Sequence, residues 1–171
     1  MTDFLQLARD RYSVRAFSDA PVEAEKIRAL VDAAVAAPTA VDKQPWHLWV
    51  VESPEAVARL SALTRFSFGA QVILMLGARA DEAWVRKYDA RNFADVDASI
   101  VGTHIMLAAH DLGLGTTWVG HFDAPAVHEA FPETAGYDLV ALFPIGYPAA
   151  NAEPAAKHFE RKPVEELVTR V

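Results

Sequence analysis

The stretch DVDASIVGTHIMLAAHDLGLGTTWVG, residues 95–120, decides the fold. Residues 95–112 read as one helix in which Ile100, Val101, Ile105, Met106, Leu107, Ala108 and Leu112 leave almost no polar face. A helix that is apolar nearly all round must be covered on most sides. Ala98, Gly102, Ala108 and Ala109 also allow a second helix to come close. In a chain of 171 residues, burial on every side points to a subunit interface, and Ile105→Glu is expected to break it. Gly113 and Gly115 end the helix, and residues 116–119 follow as a strand. The glycines imitate a dinucleotide fingerprint, but that motif runs strand, glycine turn, helix. Here the order is helix, glycine turn, strand, so a Rossmann reading is rejected. Gly120 lets a ligand approach the backbone closely.

Working outward, residues 72–76 (VILML) are wholly apolar beside Gly77, which suits a central strand buried on both faces. Residues 139–145 and 48–51 read as further strands. Ile27, Leu30, Val31, Ala34 and Val35 recur at helical spacing, so residues 23–36 form an amphipathic helix stopped by Pro38. Shorter helices are expected at 3–10, 54–63 and 125–131. Residues 11–17 read as extended, and residues 79–93 as an exposed excursion with some helix. A Pro- and Ala-rich arm begins at Pro148, and a basic patch spans residues 157–162. Interleaved helices and strands with a helix-heavy middle predict an α+β or mixed α/β domain of three layers covering residues 1–171.

Composition excludes several functions. The net charge is -7, which argues against nucleic acid as the main partner. The absence of cysteine removes disulfides, thiol catalysis and iron–sulfur clusters. The N-terminal ten residues carry Asp3, Arg9 and Asp10 and do not read as a signal peptide. The longest apolar run is too short to span a bilayer, and a cytoplasmic protein is the default expectation. The six histidines form no metal motif: His104 and His110, six apart on a helix, point to roughly opposite sides.

Two further constellations carry possible chemistry. In an extended segment, Arg11, Ser13 and Arg15 point the same way. They make either a phosphate cradle or a set of solvated charges at a helix end. Residues 38–46 (PTAVDKQPW) join a helix to a strand, where binding groups collect. Asp42 and Gln44 suit the edge of a heterocycle, although an ordinary helix-to-strand connection reads the same way.

In order, these segments resemble the nitroreductase family over nearly the whole chain. Residues 11–17 (RYSVRAF) resemble its R-x-S-x-R-x-F, and residues 37–46 its A-P-S-x-x-N-x-Q-P-W. Residues 107–120 resemble its L-A-A-x-x-L-G-L-G-T-x-W-x-G, and residues 143–148 its late strand and glycine turn. Residues 161–168 (RKPVEELV) resemble its closing motif. The resemblance implies an α+β three-layer fold, with a central mixed or antiparallel sheet flanked by helices. It also implies an intertwined homodimer whose arm, from about residue 148 to 171, reaches the partner, with flavin mononucleotide (FMN) at the subunit interface.

The same resemblance assigns the site. Arg11, Tyr12 and Ser13 would hold the phosphate with Arg161 or Lys162. Pro38, Thr39, Ala40, Asp42 and Gln44 would come from the other subunit. Trp118, Val119 and Gly120 would lie along the ring with a backbone N–H near N5, and Arg15 near N1 and O2. Trp84, Tyr88 and Phe93 are candidates to stack on substrate. No side chain is assigned to the reaction itself, since the flavin carries the chemistry, and no metal is implied. NADH or NADPH would donate hydride by a ping-pong route to a nitroaromatic, quinone or related small-molecule acceptor. Alternatives are reductive dehalogenation, flavin fragmentation, or an FMN carrier or sensor without turnover. The chain departs from the pattern at Ala40 and at Asp42, where the family has asparagine, and the span of residues 76–95, part of the family's lid, is short.

Overall fold

The computed structural model describes residues 3–171; Met1 and Thr2, the start of the stretch read above as no signal peptide, lie outside them. The apolar segment forms helix α4 (Ala94–Asp111), and Gly113 follows it with φ of 73°, the left-handed turn that glycine adopts without strain. Ala98, Val101, Ile105 and Ala109 are fully buried inside the subunit, packed with Leu30 and Ala34 of α2 (Ala24–Val35). Ile105 therefore belongs to the subunit's own core, and the expected use of Ile105→Glu as an interface probe is corrected. Periodicity finds an apolar face but cannot tell which neighbour covers it. Away from this core α4 carries the half-buried Val96 and Leu107 and the exposed Thr103, while the half-buried Ile100 packs against the core's edge.

The main sheet has the order β1 (Trp46–Val51), β2 (Val72–Ala78), β6 (Asp138–Gly146), β5 (Gly115–Thr116), with antiparallel neighbours throughout. Every residue of β2 is buried, as expected of its unbroken apolar run. Alternation divides it between two layers. Val72, Leu74 and Leu76 pack in the core formed with α2 and α4. Ile73 and Met75 pack with Leu60 of α3 (Pro54–Ser61), Val127 of α5 (Ala124–Ala130) and Phe131. The result is a three-layer α+β fold with helices on both faces of an antiparallel sheet.

Two segments differ from expectation. Residues 79–93 hold no helix; they form a hairpin of β3 (Val85–Arg86) and β4 (Arg91–Asn92). Its turn is closed by the Arg86–Asp89 ion pair and by Ala90 at φ of 55°. Residues 116–119 leave the sheet after Thr116 and touch it again only where Val119 pairs with Leu142. At the N-terminus, α1 (Phe4–Asp10) is capped by Asp3, whose side chain accepts the Leu5 N–H. Among the described residues no helix is long and apolar enough to cross a membrane.

Candidate functional site

The segment after α1 is laid against β5. The Val14 N–H donates to the Thr116 carbonyl at 3.0 Å, and Ser13 bridges Thr116 in parallel register. Gly115 makes this possible, because a Cβ there would sit 2.7 Å from the Val14 side chain. Val14 points inward and is buried. Alternation then turns Arg11, Ser13 and Arg15 to the other side, where they are half-buried or exposed.

The C-terminal arm comes back to the same place. Phe17 bridges Pro148, the Ala149 N–H donates to Ala16, and the Tyr12 hydroxyl donates to Ala152 O at 3.2 Å. This path brings Arg161 near Arg11. Burial and the Arg161 charge both hold the Arg11 guanidinium below its ordinary pKa. Among the described residues no carboxylate lies within ion-pair distance of either arginine. The Thr116 hydroxyl, on the strand residue that bridges Ser13, is buried without a partner. Lys162 instead turns to Glu166 at 3.7 Å.

On the same segment, Arg15 lines a cleft of about 230 Å³ together with Phe66, Phe68, Trp118, Gly120 and His121 among others. The Val119 N–H is already used, donating to Leu142 O at 2.9 Å. Gly120 is exposed, and its space is open: a Cβ would meet only Trp118 Nε1, at 3.7 Å. Trp118 is both wall and core, standing edge-on to Phe143 with ring centroids 5.1 Å apart. No acidic side chain lines this cleft in a chain of net charge -7.

Residues 38–45 lie elsewhere. The Ala40 N–H donates to Asp97 Oδ1 at 2.8 Å, at the N-terminal end of α4. Val41, Asp42 and Gln44 have φ of 54°, 53° and 50°, a left-handed conformation uncommon for residues other than glycine. Gln44 Nε2 donates to Asp42 Oδ1 at 2.9 Å, and the Gln44 N–H donates to Thr39 Oγ1 at 3.0 Å. Asp42 thus spends one carboxylate oxygen inside the turn. Fourteen helical residues, at about 1.5 Å each, put roughly 20 Å between this turn and the far end of α4, beyond which Thr116 meets Ser13.

A model of the nitroreductase family matches residues 8–68 and 63–147. The chain belongs to that family. A Methanothermobacter thermautotrophicus relative, provisionally named an NADH dehydrogenase/NAD(P)H nitroreductase, is 30% identical over 163 residues, covering 87% of this chain and 79% of its own. A nitroreductase family protein from Clostridium difficile superposes with a TM-score of 0.90 at 32% identity, with 98% of each chain covered. A Desulfovibrio desulfuricans protein solved in complex with FMN superposes with a TM-score of 0.77 at 26% identity, over 100% of this chain and 98% of its own.

The positions matched to the family's motifs fall into two groups. Arg11, Tyr12, Ser13, Arg15, Trp118, Val119, Gly120 and Arg161 cluster around β5 and the cleft. Pro38, Thr39, Ala40, Asp42 and Gln44 form the turn at the opposite end of α4. Trp84, Tyr88 and Phe93 sit in the hairpin leading into α4, on the same side as that turn. Trp84 packs edge-on against Phe93 at 4.9 Å, and Tyr88 is 86% exposed. Sequence reading missed Phe66, Phe68 and His121 as cleft residues. Two aromatics flanking Ser67 before Gly69 were the available signal, but only folding places that loop beside Gly120.

Proposed function

We propose that this chain is an FMN-dependent oxidoreductase that takes hydride from NADH or NADPH and passes electrons to a nitroaromatic, quinone or related acceptor. The observation that carries this reading is the Arg11–Arg161 pair. Arg11, held below its ordinary pKa by burial and by the nearby charge of Arg161, stands beside a serine with no carboxylate in reach among the described residues, an arrangement suited to a dianionic phosphate. The residues present fit the group. Arg11, Tyr12, Ser13 and Arg161 would surround the phosphate, with Lys162 at the margin. Trp118, Val119 and Gly120 would line the ring, and Arg15 would face the pyrimidine edge, where added negative charge is stabilised by a cation. With the Val119 N–H committed to Leu142, the Gly120 N–H is the donor available to the ring.

When bound, the flavin supplies hydride chemistry, which is why the cleft needs no acid–base pair of its own. Arg15 and the Gly120 N–H would orient the ring, and Phe66, Phe68 and Trp118, which line the cleft, would shield it from water.

The reading includes a homodimer. The outward stripe of α4 is apolar and half-covered, and Phe4, Leu5, Phe159, Val164 and Leu167 are exposed at the ends of the chain. A two-fold axis across α4 sets the N-terminal end of one helix beside the C-terminal end of the other. Pro38, Thr39, Ala40, Asp42 and Gln44 of one subunit would then face the cleft of its partner, and the hairpin with Trp84, Tyr88 and Phe93 would cover the acceptor. The arm after Pro148 would complete the interface.

The test mixes the yellow protein with NADH or NADPH without oxygen. Bleaching of the flavin band, restored by a nitroaromatic or quinone, is the expected result. Binding of FMN without bleaching by either nucleotide would leave a carrier or sensor. Failure to take up FMN would sink the reading.

A further inference from the structure

Asp97 is the one ionisable side chain with no solvent exposure among the described residues. Its Oδ1 accepts the Ala40 N–H, while its Oδ2 is buried without any hydrogen-bond partner. A buried oxygen left unpaired works against folding and offsets what a carboxylate in the first turn of α4 contributes through the helix dipole. What it holds is the turn of residues 39–44, in which Val41, Asp42 and Gln44 are left-handed. Strain of this kind persists only where surrounding contacts over-determine the backbone.

Most of those contacts are local. Asp42 donates to Thr39 O, Lys43 to Ala40 O, and Gln44 to Thr39 Oγ1 and Asp42 Oδ1. The bond from Ala40 to Asp97 is the only hydrogen bond that ties residues 39–44 to another element of the described chain. A rigid helix thereby fixes a strained turn through one buried oxygen.

We infer that Asp97 is a positioning residue of the cofactor site: from inside one subunit it clamps the Thr39–Gln44 turn in the shape presented to FMN held by the partner. The inference rests on the FMN reading above, but its local half stands apart from it.

The experiment compares Asp97→Ala and Asp97→Asn with the native dimer. FMN affinity is measured by flavin fluorescence, stability by thermal midpoint, and amide hydrogen exchange at Ala40 in protein stripped of FMN. Asp97→Ala is expected to weaken FMN binding at least about tenfold and to speed Ala40 exchange at least about tenfold, with a thermal midpoint unchanged or raised. Asp97→Asn keeps an acceptor oxygen and is expected to restore both properties. Native exchange and native affinity in Asp97→Ala would overturn the inference. So would an Asn variant as impaired as the Ala variant, or an Ala variant that fails to fold, since the residue would then serve charge or stability. If the native protein takes up no FMN, the flavin reading falls alone, and Ala40 exchange still decides whether Asp97 clamps the turn.

Discussion

At the C-terminal end of α4, residues 11–15 lie as a strand beside Thr116, with no left-handed residue and an excess of positive charge. At its N-terminal end, residues 39–44 turn through three left-handed positions and hang from a single buried acid. The first region is ready for an anion: a parallel bridge to Thr116 sets its backbone, and among the described residues its arginines donate only to backbone carbonyls, with no carboxylate partner. The second holds a fixed shape, and its two charged side chains, Asp42 and Lys43, are of opposite sign. The contrast teaches that charge and fixed shape are built separately here, about a helix length apart; in the proposed dimer a second copy would join them.

The largest effect should come from breaking that junction. Leu107 is half-buried on the outward stripe of α4 and lies outside the subunit's core. Leu107→Glu is expected to give a folded monomer whose FMN affinity is lost by more than about 100-fold, because a buried unpaired charge is not tolerated at an interface. Gel filtration with flavin titration checks this. A folded monomer with native affinity would put the whole site in one chain.

Arg11→Ala should come next, weakening FMN by roughly 10- to 100-fold, the range of a charge-assisted bond to phosphate. A sharper form mixes this variant with Gln44→Pro, since proline cannot reach a φ of 50°. After reassortment, about one site in four should recover, because one native site forms in each mixed dimer. No recovery would mean that both regions serve the same subunit's flavin.

Gly115→Ala tests how the first region is seated. The new Cβ would meet Val14 at 2.7 Å, and overpacking of this kind costs about 1–3 kcal/mol. A fall in thermal midpoint together with weaker FMN binding is expected. Val41→Gly addresses strain in the second region: it should raise the thermal midpoint slightly and weaken FMN only a few-fold, as a looser turn would.

The smallest effect concerns pH. The Tyr147 hydroxyl donates to Glu23 and holds its carboxyl below the ordinary range. Lys26, bonded to Tyr147 and to the Leu112 carbonyl, links this pair to the C-terminal end of α4. A depressed carboxyl contributes stability above its unfolded pKa and loses it as pH falls through its folded value. Tyr147→Phe should therefore lower the thermal midpoint slightly at neutral pH, and the difference should shrink toward strong acid.

Much of the fold was legible because it rests on local periodicity. The apolar run of β2, the helix spacing of α2 and the glycine that ends α4 all follow from residues close in sequence. The hairpin at residues 79–93 was not legible, since mixed charge and scattered aromatics suit a helix or a hairpin equally, and an Arg86–Asp89 pair closes only the latter. The site residues around Arg11 and Gly120 could be found from motif order. The convergence of Phe66, Phe68 and His121 on the same cleft could not, because it depends on where a loop lands after β1, β2 and α3 have packed.

By itself, the sequence determined the layers, the central strand and the two motif segments, because side-chain period and glycine placement are properties of a few neighbouring residues. Only the tertiary structure decided which face of α4 is core, that Ile105 lies inside it, that Arg161 answers Arg11, and that Asp97 holds Ala40. Each of these joins residues dozens of positions apart or, within one helix, depends on what packs against it. No local pattern encodes that.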